Sequence, residues 1–211
     1  MLQLLLKNRL FICLLTISVP LLLQAEERDQ PNPDWPCVQA YVPVVSAAVV
    51  WAGPSIKGMD QVWEQDKEIG SLVHQFTAPD YVVEDAEKEI ADFADRQKRE
   101  EKDHKLILLF AGVIDSLNAK RKKELDGITL YAQGQAARAN RLSEELDEMI
   151  RLQDDPSSAA QERFALMQGE MEIKQRMFDE RETFIQYLCT RPRVVEEKLG
   201  SLARAIAYYL D

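Results

Sequence analysis

Few side chains in this sequence could do chemistry. Beyond the first 25 residues there are two histidines, His74 and His104, and two cysteines, Cys37 and Cys189. Glu101 and His104 form one Glu-x-x-His, which sets a carboxylate and an imidazole on one face of a helix. A carboxylate-bridged two-metal bundle draws on two such motifs from different helices, and here the single copy lies in a charged run from Arg96 to Lys105. The other chemistry to weigh is a haem held by histidine and methionine, since Met167, Met171 and Met177 share one helical stretch. Those methionines are equally what an ordinary adaptable core contains. A nucleophilic enzyme needs a base beside its serine or thiol, and neither histidine has a setting that suggests one. There is no glycine-rich phosphate loop. The cluster Glu144, Glu145, Asp147 and Glu148 is interrupted by Leu146 and Met149, so it reads as a solvated face and not a calcium loop. No catalytic, cofactor-binding or metal residue is assigned, no cofactor is expected, and the chain reads as non-enzymatic.

The cysteines carry a structural expectation instead. Cys13 lies in an apolar leader; Cys37 and Cys189 remain near opposite ends of the chain. An isolated pair in an oxidising compartment bridges, and closing so long a loop stabilises a fold by about 5 kcal/mol in the chain-entropy picture. Two buried free thiols, or a bond between chains, are the competing readings.

Residues 1–25 set the expected compartment. Lys7 and Arg9 precede an apolar run from Leu10 to Leu23 that contains Pro20 and ends at Gln24-Ala25. That run is short for a membrane-spanning helix and has the layout of a secretory signal peptide cut after Ala25. Ile12 before Cys13 speaks against a lipid anchor. A retained leader, tethering an accessory subunit of an envelope complex, is the alternative. Removing the leader takes two of the 26 cations and none of the 36 acids, so the charge moves from −10 to −12. Basic residues interleaved with acids leave no electrostatic footprint for nucleic acid or anionic lipid. The one dense basic run, Lys120 to Lys123, reads as a solvated face. The chain is expected in the periplasm or secreted, without membrane contact once the leader is removed.

The elements that would position all this are helical. From His104 to Gln153 apolar residues recur on one face without a proline. Leu125, Ile128, Ala132, Gln135, Ala139, Leu142, Leu146 and Met149 keep a three-four spacing, the seam for a neighbouring helix. Upstream, Leu106 to Ile114 is apolar or glycine on every side. It reaches only about 14 Å as a helix, half a bilayer core, so it reads as core enclosed on several sides, with a partner-binding or membrane-touching segment as the alternative. Gly127 and Gly134, seven apart, mark either close approach of a second helix, a hinge, or two weak spots of about 1 kcal/mol each.

Before the rod, Glu26 to Pro36 is charged and then proline-rich, an extended strap that Trp35 and Cys37 could anchor. Trp35 reads as a packing plug, with ligand stacking as the other possibility. Ser46 can cap a short helix over 47–51, and Asp60 a helix carrying Val62, Trp63, Ile69, Val73 and Phe76. The next helix begins near Asp80 with Val83, Ala86, Ile90 and Phe93 as its stripe, and a turn or kink near 98–104 separates it from the rod. Asp154 to Ser158 ends the rod and starts another long helix. That helix carries two stripes, one of Phe164, Met167, Met171, Phe178, Ile185 and Leu188, the other of Leu166, Ile173, Met177 and Phe184. Two stripes imply two neighbours. Thr190-Arg191-Pro192 breaks the chain before a last helix from Val194 to Leu210, with Cys189 at the joint.

The fold expected is all-α: an elongated antiparallel bundle of four to six helices, two of them long. It is organised as leader (1–25), strap with a short apolar segment (26–59) and helical domain (60–211). The strings Asp34-Trp35-Pro36-Cys37 and Trp51-Ala52-Gly53-Pro54 are distinctive but carry no activity. The function this composition suggests is binding of other envelope proteins, as adaptor, scaffold or chaperone-like factor, or self-association. A metal- or haem-binding bundle built on His74, His104, Glu101 and methionines is the alternative.

Overall fold

The computed structural model describes residues 32–59 and 61–211, and every described element is helical. The leader, the start of the strap and Asp60 lie outside the described residues. Six α-helices follow in order: α1 Ala47–Val50, α2 Lys67–Phe76, α3 Val83–Arg96, α4 Arg99–Gln153, α5 Ser158–Leu188 and α6 Arg191–Ala207, with a 3-10 turn at Val62–Gln65.

The apolar block of the rod dictates the arrangement. A helix without a polar face must be surrounded, and every residue from Leu106 to Ile114 is buried. The cover comes from this chain alone. Ile69, Val73 and Phe76 of α2 close one side, and Leu199, Leu202 and Ile206 of α6 another. α3 packs behind α6 through Ala86, Ile90 and Phe93. The strap supplies Trp51, whose ring stacks on Phe110 with centroids 3.9 Å apart. Gly112 lets α2 come this near: a Cβ there would lie 2.5 Å from Val73 Cγ2 and 2.9 Å from Trp63 Cδ2.

α4 is a spine about 80 Å long at 1.5 Å per residue. α5 and then α6 run back along it. Tyr131 donates to the Arg181 carbonyl at 3.4 Å, Arg191 meets Glu124 at 3.1 Å, and Lys102 meets Asp211 at 2.7 Å. Between α5 and α6 falls Cys189, bonded to Cys37 with the Cα atoms 5.7 Å apart. The strap is thereby fixed at mid-spine. Gln39 donates to the Cys189 carbonyl, Asn118 bonds both the amide and the carbonyl of Val45, and buried Arg121 donates to the Val42 carbonyl.

Local chemistry sets the boundaries, and several differ from the sequence reading. α2 begins at Lys67, capped not by Asp60 but by Asp66, whose Oδ1 accepts from the amides of Glu68 and Ile69 at 3.1 and 3.2 Å. Asp66 is also held by Lys105 of α4, so the cap is welded to the rod, and Val62 and Trp63 fall in the separate 3-10 turn. α3 begins at Val83 instead of Asp80. The Ala78 and Tyr81 carbonyls accept from Lys198 Nζ at 2.6 and 2.8 Å, which keeps that stretch a turn. Between α3 and α4 the chain does turn, at Gln97 and Lys98, both extended. Ser46 and Ser157 cap α1 and α5 as their positions suggest. The last helix starts at Arg191 with Pro192 in its first turn, where a missing N–H costs nothing.

The basic run is also not a solvated face. Arg121 is 4% exposed and donates to Glu196 at 2.7 Å, while Lys120 donates to the Thr77 carbonyl, neutralising the C-terminus of α2. Only Lys122 and Lys123 face water.

Two predictions follow from this packing. Gly112→Ala drives a methyl into Val73 and Trp63 and lowers stability by about 1–3 kcal/mol, measurable by urea unfolding, whereas Gly70→Ala inside α2, where a Cβ meets nothing within 4 Å, is neutral or stabilising. The hydrogen bond from Lys105, then those from the Ile69 and Glu68 amides, hold the Asp66 carboxyl below its usual value against some desolvation. A carboxylate with a folded pKa below the unfolded one stabilises above about pH 4 and loses that contribution as pH falls through the folded value. Asp66→Asn therefore costs about 1–2 kcal/mol at pH 7, and unfolding curves of the two proteins converge as the pH falls through the folded value. A constant difference across that range contradicts the assignment.

Candidate protein-binding surface

The residues considered for metal or haem do not converge. His74 is exposed on α2 with its ring edge-on to Trp63 at 6.1 Å, and Glu101 and His104 are exposed in the first turns of α4. Met167, Met171 and Met177 belong to α5, which pairs with the far half of the spine. In the antiparallel register set by Tyr131 and Arg181, Met177 is level with residue 135, about 47 Å along the helix from His104 at 1.5 Å per residue. Among the described residues no group of three or more histidine, cysteine, aspartate or glutamate side chains could hold a metal ion.

Trp35 is engaged in structure. Its indole donates to the Gln39 carbonyl at 2.7 Å and its ring meets Tyr41 edge-on at 5.2 Å. A cleft of about 570 Å3 beside it, lined by Val42, Val44, Val49 and Val50, has the paired Arg121 and Glu196 at its floor. Gln39, Ser46 and Arg193 line it as well, Gln39 being committed to the Cys189 carbonyl.

The surface that stands out is the far half of the molecule. Past Ile128 the spine has one substantial neighbour, α5, and α5 packs substantially on the spine alone. The expectation that both α5 stripes find neighbours is therefore wrong. Met167 and Ile185 of the first stripe are buried against α4, with Phe164, Met171, Phe178 and Leu188 half-buried. Leu166, Ile173, Met177 and Phe184 of the second are 63%, 53%, 44% and 46% exposed. A period of 3.5 marks an apolar face but does not say what covers it. The seam on α4 is also displaced from the one expected: Leu142, Glu145 and Met149 turn inward, while Ala139 and Leu146 face water. A straight helix turns by 3.6 residues, so a row kept at 3.5 drifts off the contact line.

This seam is thin and partly polar. Gln135, 3% exposed, donates to Glu182 at 3.0 Å and to the Phe178 carbonyl at 3.3 Å, and accepts from Arg138. Such a residue fixes register at some cost in stability. Two members of the acidic cluster act as hairpin pins, Glu145 to Lys174 at 2.8 Å and Glu148 to Arg163 at 3.3 Å. Both pairs are solvent-exposed, so each contributes little.

Beside the exposed stripe lies a groove of about 280 Å3, lined by Arg138, Arg141, Lys174 and Arg181 together with Leu142, Glu145, Met177 and Phe178. Among the described residues none of those three arginines has a carboxylate within 4.0 Å, in a chain of net charge −10. Arginine beside exposed aromatic and methionine side chains is the composition of a protein-binding patch, because each offers large contact area with adaptable polar reach. The sequence marked the stripe but missed the arginines, which are scattered over two helices and meet only when these fold back.

Replacing His74 and His104 together by alanine is expected to shift stability by less than about 0.5 kcal/mol, as for surface sites, and to leave the visible spectrum and metal content of the purified protein unaltered. A change in bound metal or in absorption contradicts the placement described above. Comparison with family models, with curated proteins and with solved structures finds no match to this chain.

Proposed function

We propose that this chain is a non-enzymatic, exported helical protein that binds other proteins in the cell envelope, as an adaptor, scaffold or chaperone-like factor. The observation that carries the reading is the hairpin of α4 and α5, with Leu166, Ile173, Met177 and Phe184 in the open beside three unpaired arginines. An apolar row of this length on one flank is far more than the scattered exposure of an ordinary surface.

The base of the molecule supports the same division of labour. It encloses its own apolar block and is cross-linked by Cys37 and Cys189, so it can hold the hairpin without help. A disulfide between such distant residues fits an oxidising, non-cytoplasmic compartment, which with the apolar leader supports a periplasmic or secreted location. Among the described residues no helix is long and apolar enough to cross a membrane. The acidic balance supports protein over nucleic acid as the bound class.

The test is capture from the native envelope with and without chemical crosslinking, comparing wild type with Ile173→Glu/Met177→Glu. Both side chains are exposed, so the variant keeps its helicity. A reproducible partner that this variant loses at least tenfold supports the proposal. The same partners on both proteins, or none on the wild type, removes it.

A further inference from the structure

We infer that the occupant of the hairpin flank is a second copy of this chain, joined as a parallel twofold dimer in which α4 of each copy lies over α5 of the other. This rests on the reading of the hairpin as a protein-binding surface and names what binds there.

The argument is one of self-complementarity at matched heights. On α5 the positions Leu166, Glu170, Ile173, Met177, Glu180, Phe184 and Tyr187 follow each other by four and three, an unbroken heptad row that is exposed throughout. On α4 the neighbouring flank carries Gly127, Leu130, Gly134, Arg138 and Arg141 at three-four spacing. The groove places both rows on one side of the hairpin, since Arg138 and Arg141 line it together with Met177.

Tyr131 reaching the Arg181 carbonyl and Gln135 reaching that of Phe178 set the register between the helices. By that register Leu130 is level with residues 182–183, Gly127 with 185–186, Gly134 with 178–179 and Arg141 with 171–172, which puts Phe184, Tyr187, Glu180 and Ile173 each within about 3 Å of those heights at 1.5 Å per residue. A twofold axis along the hairpin keeps every residue at its own height, so residues level within one copy become contacts between two. Leu130, 70% exposed, then meets Phe184 of the second copy. Tyr187, 60% exposed, meets Gly127, beside which a Cβ would find nothing within 4 Å. Large side chains thus face gaps, the requirement for interdigitated helices.

Charge follows the same rule. The two polar positions in the α5 row, Glu170 and Glu180, are both acidic, and by the same register Glu170 falls level with residues 142–143, within about 3 Å of Arg141 along the axis at 1.5 Å per residue. Like would meet like if α5 packed on α5 in the antiparallel sense, where Glu170 would face Glu180. The parallel twofold arrangement instead brings Arg141 of each copy to Glu170 of the other, two pairs in all, and electrostatic matching of this kind selects orientation.

The size is adequate. Leu166 to Tyr187 spans about 32 Å, and two helices about 10 Å apart give a face of roughly 600 Å2 in projection, near the ~800 Å2 of accessible surface per partner of a stable complex. Gly127 and Gly134 then acquire the close-packing role that nothing within one chain gives them.

The test is sedimentation equilibrium of the purified chain with two charge-reversed variants, Arg141→Glu and Glu170→Arg, helicity being checked by circular dichroism. The wild type is expected at twice the monomer mass. Each variant alone self-associates at least tenfold more weakly, and an equimolar mixture of the two regains wild-type association, because only unlike copies match. Variants that dimerise as the wild type does, or a mixture that stays monomeric, overturn the inference. If the wild type is monomeric while Ile173→Glu/Met177→Glu still loses a different captured protein, the second copy falls and the protein-binding reading stands. If the wild type is monomeric and captures nothing, both fall.

Discussion

The constraint on which the rest of this structure depends is the enclosure of one stretch of helix that has no polar side. From Leu106 to Leu117 the spine buries nine large or small apolar side chains and Gly112. Each large one removed from water contributes about 1.5–3 kcal/mol. No single neighbour can cover such a helix. α2, α6 and the strap residue Trp51 are therefore drawn to the same few turns, and α3 follows because α6 needs its own outer face covered. Even the polar contacts at the base serve this gathering. Asp66 caps α2 while holding Lys105 of the spine, and Lys120 and Lys198 converge from two helices on the carbonyls that end α2. Both ammonium groups are pushed below the usual lysine value, chiefly by burial.

The same helix continues long after that cover ends. Its far half shares with α5 a seam that includes Gln135 at its centre and half-buried Arg138 and Glu145. Isolated helices are marginal in water and gain their stability from packing an apolar face, yet α5 turns its second apolar face outward. The boundary between the two regimes lies near Leu125, where α5 gives way to α6 and the disulfide fixes the strap. An enclosed, cross-linked base and a lightly packed hairpin are the parts on which the proposed docking role rests.

Much of this was legible in the residues. An all-apolar block can only be core or membrane, and its length chose core. Ser46, Ser157 and Pro156 announced their helix ends because capping chemistry is local, and two lone cysteines in a chain expected to be exported had one sensible partner each. What was hidden was hidden for physical reasons. Asp60 and Asp66 both stand where a cap could stand, and Lys105, far off in sequence, gives Asp66 a second bond. The run from Lys120 to Lys123 looks uniformly solvated until folding turns Arg121 into the molecule toward Glu196. The second stripe of α5 was read as facing a neighbour in the same chain, since periodicity records an apolar face without recording what lies on it. The groove arginines belong to two helices whose pairing the sequence suggested but whose register it did not fix.

Amide hydrogen exchange measured across a dilution series tests the central claim most directly, since it reads local opening separately in the base and in the hairpin. The account predicts slow exchange at 106–117 at every concentration, and exchange at 129–153 and 158–187 that slows as association rises. Equal protection in both halves, unaffected by concentration or by added envelope proteins, would contradict it.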